Sequence, residues 1–255
     1  MKISVIIYLL FPFLLFLVAC NNKEGKIDGA YENVSTYKTD SVLLKNDASL
    51  NHIIKIFKNG YWINISVTPE FLLNCSGGTY RIINGTHIEK YNFNSSDTSV
   101  IGKELKFNYY LNADHLVARL NTTGIHEKDD HRVVYDRPHL STPLKNTFLE
   151  GAWTMKPGQG GYNTNNNEVV KIFAYPFFIT VIYNTKEKKI GITYVGNYQF
   201  DGKNLIETIK YSFSDITSGS AIEWDVKKLS NNEIQLFDID SQYDEEIYEK
   251  SNNPL

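Results

Sequence analysis

The chain has 255 residues and carries 26 Lys and Arg against 29 Asp and Glu, for a formal charge of -3. No basic run is present, which excludes a nucleic-acid binder, because backbone phosphates demand a basic face. The counts of 17 Tyr and 14 Phe suit pleated, half-buried surfaces rather than a helical bundle.

Residues 1 to 20 read MKISVIIYLLFPFLLFLVAC. A lysine precedes a long apolar run, and a small residue, Ala19, precedes Cys20, the pattern of an export signal over residues 1–19. Leu17-Val18-Ala19-Cys20 resembles the bacterial lipobox. That resemblance implies cleavage before Cys20, lipid on its sulfur (palmitate among the expected acyl groups), and anchoring to a membrane of the cell envelope, the outer membrane being expected. With Cys20 lipidated, Cys75 has no partner for an intramolecular disulfide. Residues 20–26 are a polar, glycine-containing tether.

A first module is expected over residues 27–135. It opens at Ile27-Asp28-Gly29-Ala30-Tyr31, and a short strand or helix fits near Ser41 to Leu44. Ile53 to Phe57 and Tyr61 to Val67 flank Asn59-Gly60, a strong hairpin signal. Thr79 to Ile83 and Thr86 to Phe93 flank Asn84-Gly85 in the same way. Leu105, Phe107 and Tyr109 alternate with polar neighbours, His115 to Leu120 follows, and Val133 to Tyr135 is a possible closing strand. Residues 136–147, with Pro138 and Pro143, read as a linker.

A second module is expected over residues 148–255. Leu149-Glu150-Gly151-Ala152-Trp153 copies the first opening, and Lys171-Ile172-Phe173 copies Lys55-Ile56-Phe57. Strands are expected at Val169 to Phe173, Phe177 to Tyr183, Ile190 to Phe200, Leu205 to Phe213, Ser220 to Lys228 and Glu233 to Asp238, with a last one near Glu246 to Tyr248. Gly29 pairs with Gly151, Phe57 with Phe173, Tyr80 with Tyr198, Glu89 with Glu207 and Phe107 with Trp224, at offsets of 122, 116, 118, 118 and 117 residues. Matches in one order at nearly constant spacing indicate a duplicated unit. Closure into a barrel hides the edges of such a meander. The expected fold class is therefore all-β, two tandem antiparallel meander barrels, with a pair of β-sandwiches as the alternative.

The G-x-W opening, K-x-F, G-x-Y, D-G…E-T-I and a late alternating Trp strand resemble the small lipocalin-like (calycin-like) domains of Bacteroidota lipoproteins. The second module matches through Gly151-Ala152-Trp153, Gly196-Asn197-Tyr198, Glu207-Thr208-Ile209 and Glu246-Ile247-Tyr248. In the first, Tyr31 replaces the tryptophan. The resemblance implies a fold and small-ligand binding; most members of that group have no known activity.

Candidate chemistry centres on Glu89 and Glu207. Alternation places His87, Glu89, Tyr91 and Phe93 on one aromatic face, and Leu205, Glu207, Ile209, Tyr211 and Phe213 on another. A carboxylate on such a face must be paired, hydrogen-bonded or neutral, and could orient a polar ligand. Tyr91 and Tyr211 are candidate walls, and Trp153 and Tyr162 flank a Gly- and Asn-rich loop suited to sugar recognition. The plainer alternative is a Glu satisfied by tyrosine hydroxyls or backbone, or an orientation changed by a bulge. His115, His126, His131 and His139 crowd the junction at spacings that fit no standard metal site. No metal and no cofactor is expected. The sequence points to a non-enzymatic envelope lipoprotein that binds a small molecule or glycan, accessory to polysaccharide uptake or degradation. The alternatives are a structural or protein-interaction lipoprotein with filled barrels, and a glycan-active enzyme at the inter-module cleft near His115 or His131.

Overall fold

The computed structural model describes residues 27–38, 42–45, 52–68, 72–112, 115–121, 131–136, 147–158, 166–213, 218–241 and 245–251. Cys20, the tether, His126, His139, Tyr162 and residues 137–146 lie outside them. Among the described residues the protein is all-β, with one 3-10 turn at Thr98–Val100.

The first sheet contains β1 (Gly29–Lys38), β2 (Val42–Lys45), β3 (His52–Lys58), β4 (Tyr61–Val67), β5 (Leu72–Ile83), β6 (Thr86–Asn94), β7 (Glu104–Asn112), β8 (His115–Asn121) and β9 (His131–Asp136). From β3 to β9 each strand pairs with the next. Strand β1 pairs with β3 over Gly29 to Glu32 and with β9 over Glu32 to Lys38, so the sheet curls back onto itself. The second sheet contains β10 (Gly151–Met155), β11 (Asn167–Ala174), β12 (Phe177–Asn184), β13 (Lys189–Phe200), β14 (Asn204–Ser212), β15 (Ala221–Ser230), β16 (Glu233–Asp238) and β17 (Glu245–Lys250). It is a closed barrel, completed by β17 against β10.

Turn chemistry sets the registers. Asn59 and Gly60 have φ of 51° and 80°, and Asn84 and Gly85 have 51° and 75°. Two successive positive φ values match the right-handed twist of the flanking strands. In the second barrel the Asp201 carboxylate accepts the N–H groups of Lys203 and Asn204 instead.

The duplication extends to atoms. The Tyr31 hydroxyl donates to the Ile27 carbonyl at 2.8 Å, and Trp153 Nε1 donates to the Leu149 carbonyl at 2.7 Å. The hydroxyls of Tyr80 and Tyr198 each donate at 2.6 Å, to Asp28 and Glu150 respectively. Phe57 meets Tyr80 edge-on at 5.3 Å, and Phe173 meets Tyr198 at 5.1 Å.

Three apolar clusters form. One fills the first barrel around Tyr31, Phe57, Trp62 and Leu116. Another fills the second around Trp153, Phe173, Phe178, Tyr198 and Trp224. The third joins the barrels: Ile54, Ile56, Ile63 and Ile65 from the first pack with Ile172, Ile179, Val181 and Val195 from the second. Strands β3, β4, β11 and β12 are therefore buried on both faces, one into their own barrel and one into the neighbour. A fully buried Ile or Val side chain contributes about 1.5–3 kcal/mol, so this seam is a large part of the fold's stability. Lys58 and Glu150 bridge its rim at 2.9 Å. Cys75 is buried in the seam, and desolvation, opposed by a contact with Thr193, pushes its thiol up to about 12. Such a thiol is unreactive and acts as a packing residue.

Candidate functional site

Both candidate carboxylates point inward and are 1% exposed. Each meets a lysine reaching across the barrel. Lys55 Nζ donates to Glu89 Oε2 at 2.9 Å and to the Tyr109 hydroxyl at 3.1 Å, and that hydroxyl donates to Glu89 Oε1 at 2.8 Å. Lys171 Nζ donates to Glu207 Oε2 at 3.1 Å, and Trp224 Nε1 donates to the same oxygen at 3.0 Å. Lys55 and Lys171 hold equivalent places in Lys-Ile-Phe, on the same inward parity as Phe57 and Phe173. Rings surround both ammonium groups. Lys55 Nζ lies 5.0 Å from Trp62 and 5.1 Å from Phe107, and Lys171 Nζ lies 4.8 Å from Trp224. Cation–π attraction and the ion pair together replace the hydration each charge loses.

The two pairs differ in electrostatics. Burial pushes the Glu89 carboxyl up, but the Lys55 charge and the adjacent His87 outweigh it and hold the group below its ordinary value. For Glu207 burial wins over Lys171 and Trp224, and the carboxyl is raised. Glu207 Oε1 has no hydrogen-bond partner among the described residues, and Glu246 adds a second negative charge 3.9 Å from Lys171. His87 stacks on Tyr80 with 4.9 Å between centroids. Its Nε2 is 3.3 Å from Glu89 Oε1 but out of line for a hydrogen bond, and burial lowers its pKa. The imidazole therefore packs among Tyr80 and Phe57 with its edge toward Glu89.

The alternation breaks at one matched place in each barrel. Gly77 pairs with Phe93 and Gly78 with Tyr91, so Asn92 is extra. Val195 pairs with Tyr211 and Gly196 with Ile209, so Lys210 is extra. Each β-bulge turns the following residue to the opposite face. Phe93 and Tyr211 thus leave the interior faces expected for them and pack in the seam, while Phe213 is 39% exposed. The bulge also explains the G-x-Y glycine. A Cβ on Gly78 would stand 2.0 Å from the Lys90 carbonyl oxygen, and one on Gly196 would stand 1.9 Å from that of Thr208.

Beside the β6 bulge, the two barrels enclose a groove with a cavity of about 280 Å³. Trp62, Tyr91 and Phe93 form the wall from the first barrel; Glu168, Val181 and Tyr183 form the wall from the second. Trp62 and Tyr91 meet edge-on at 4.9 Å, and Phe93 and Tyr183 lie 5.9 Å apart at a 39° tilt. Ile101 stands at the groove from the turn after the 3-10 helix. Glu168 is half-buried, and desolvation raises its carboxyl.

Of the residues singled out in the sequence, Tyr91 lines this groove, and Glu89 and Glu207 stand in separate barrel interiors among the rings of those clusters. Trp153 is 1% exposed inside the second barrel, under Lys250 at 5.0 Å. The ladder register sets His115 opposite Asp136, at the far end of β8 and β9 from His131. Sequence reasoning missed Lys55, Lys171 and Glu168. The signal for the first two was a charged residue on the inward parity of Lys-Ile-Phe in both modules. For Glu168, adjacency to an apolar run carried no such mark.

No family model matches the chain, and comparison with curated proteins gives no match.

Proposed function

We propose that the chain is a bacterial envelope lipoprotein, lipidated at Cys20, whose lipocalin-like barrels bind a small ligand in the groove between them. The observation that carries this reading is the contrast in filling. Rings and a Lys–Glu pair occupy each interior, whereas the barrel junction holds a cavity of about 280 Å³ walled by Trp62, Tyr91, Phe93 and Tyr183. Small-molecule sites are concave, mostly apolar and carry few polar groups, and they occur preferentially between packed units. The groove suits an aromatic body or the apolar face of a sugar ring. The lipobox supports the envelope location, since a lipid supplies the anchor without a membrane-spanning segment.

Thermal-shift screening of small aromatics and oligosaccharides against the mature chain tests this. A ligand at 100 times its Kd stabilises the folded state by about 2.7 kcal/mol. Hits are expected to stabilise the wild type and to lose that effect in Ile101→Trp, which fills the groove from its turn. The filled interiors also favour a second reading, a structural or protein-docking lipoprotein. A screen without any stabilising ligand would favour that one.

A further inference from the structure

Glu168 is the acidic residue in the groove wall, placed on β11 opposite Tyr183. Among the described residues no basic side chain lies within ion-pair distance of it. Lys90, the other ionisable chain of that wall besides the tyrosines, stands opposite Glu104 in the ladder with the neighbouring strand. A half-buried carboxylate without a counter-charge has lost hydration that nothing among the described residues restores. Around it stand rings whose negative faces attract cations. The protein already uses this chemistry twice: Lys55 holds its ammonium group among rings beside Glu89, and Lys171 among rings beside Glu207 and Glu246.

We propose that the groove takes a monovalent organic cation, with its apolar body against Tyr91, Phe93 and Tyr183 and its amine or quaternary ammonium beside Glu168. This rests on the groove being the ligand site. An anion would face the Glu168 charge at short range. A neutral polyol would leave the Glu168 carboxylate without a counter-charge, even though Tyr61, Tyr91, Asn92 and Tyr183 give the wall further polar groups. The cavity is at the small end of ligand sites, which fits a compact amine rather than an oligomer.

The test uses a charge-only pair: benzyltrimethylammonium and its uncharged carbon isostere, neopentylbenzene. Calorimetric titration is done on the mature chain, on Glu168→Gln and on Ile101→Trp. The cation is expected to bind roughly tenfold or more tightly than the isostere, a difference of about 1.4 kcal/mol. Glu168→Gln is expected to cut that preference to what the rings alone supply, about threefold or less, while the isostere's affinity stays unchanged. Ile101→Trp is expected to weaken both. Equal affinities in the wild type, unaltered by Glu168→Gln, would overturn the cation assignment and leave the groove as an apolar site. Failure of both probes to bind, or binding indifferent to Ile101→Trp, would overturn the groove reading and this inference with it.

Discussion

Lys55→Met is expected to destabilise the protein by about 3–5 kcal/mol, because it leaves Glu89 buried with a charge and no cation. Glu89 is 1% exposed and would retain only the Tyr109 hydroxyl as a strong partner. The double replacement Lys55→Met with Glu89→Leu is expected to recover most of the loss, since two apolar groups need no desolvation of charge. Lys171→Met is expected to cost less than Lys55→Met under mildly acidic conditions, because burial already favours the protonated Glu207. Urea denaturation across pH measures both effects, and the two acids contribute with opposite signs. The folded-state pKa of Glu89 lies below the ordinary 4.5. Its contribution is present above that value and is lost as pH falls through the folded pKa. The folded-state pKa of Glu207 lies above 4.5. Its contribution is full below the ordinary value and is lost as pH rises through the folded pKa. Replacing Glu89 by Gln should therefore flatten the acid limb of the profile, and replacing Glu207 by Gln should flatten the limb above it. Equal profiles for the two variants would contradict the assigned electrostatics.

Gly196→Ala is expected to be as damaging, at about 3 kcal/mol or more, through a different mechanism. The new Cβ would meet the Thr208 carbonyl oxygen at 1.9 Å and a Phe178 ring carbon at 2.9 Å. The first contact is backbone in a bulge that also sends Tyr211 to the seam, so relief requires the strand pair to separate. Gly78→Ala should behave alike, with the Lys90 carbonyl oxygen at 2.0 Å. Gly191→Ala is the control on the same strand as Gly196, because its nearest neighbour would be 3.6 Å away. Thermal unfolding of the three variants checks this. A Gly196→Ala transition as high as that of Gly191→Ala would rule out the close approach.

Much of the fold was legible because strands and turns leave local marks. Asn59-Gly60 and Asn84-Gly85 gave hairpins, and the ordered matches from Gly29–Gly151 to Phe107–Trp224 gave the duplication. That last pair occupies equivalent ladder positions, opposite His87 and Leu205, and each ring covers its barrel's lysine. What alternation could not give was its own interruption. A bulge adds a residue without changing composition, so Phe93 and Tyr211 read as interior when they belong to the seam. The seam itself was marked, though by a different signal. Ile53 to Phe57 and Phe177 to Ile182 are apolar on both parities apart from single polar residues, as strands buried on two faces must be. The lysine partners were hidden because a Lys within a strand ordinarily faces water; only its parity with Phe57 and Phe173 tells otherwise. The groove depends on how two barrels meet, and pairing across a seam leaves no periodic trace in either segment.

The central claim is that the barrels are filled and that ligand space lies between them. Crystals soaked with 4-iodobenzyltrimethylammonium, measured for anomalous scattering from iodine, test it most directly. The expected peak lies between Phe93 and Tyr183, with the ammonium turned to Glu168. A peak inside either barrel, beside Glu89 or Glu207, would contradict it.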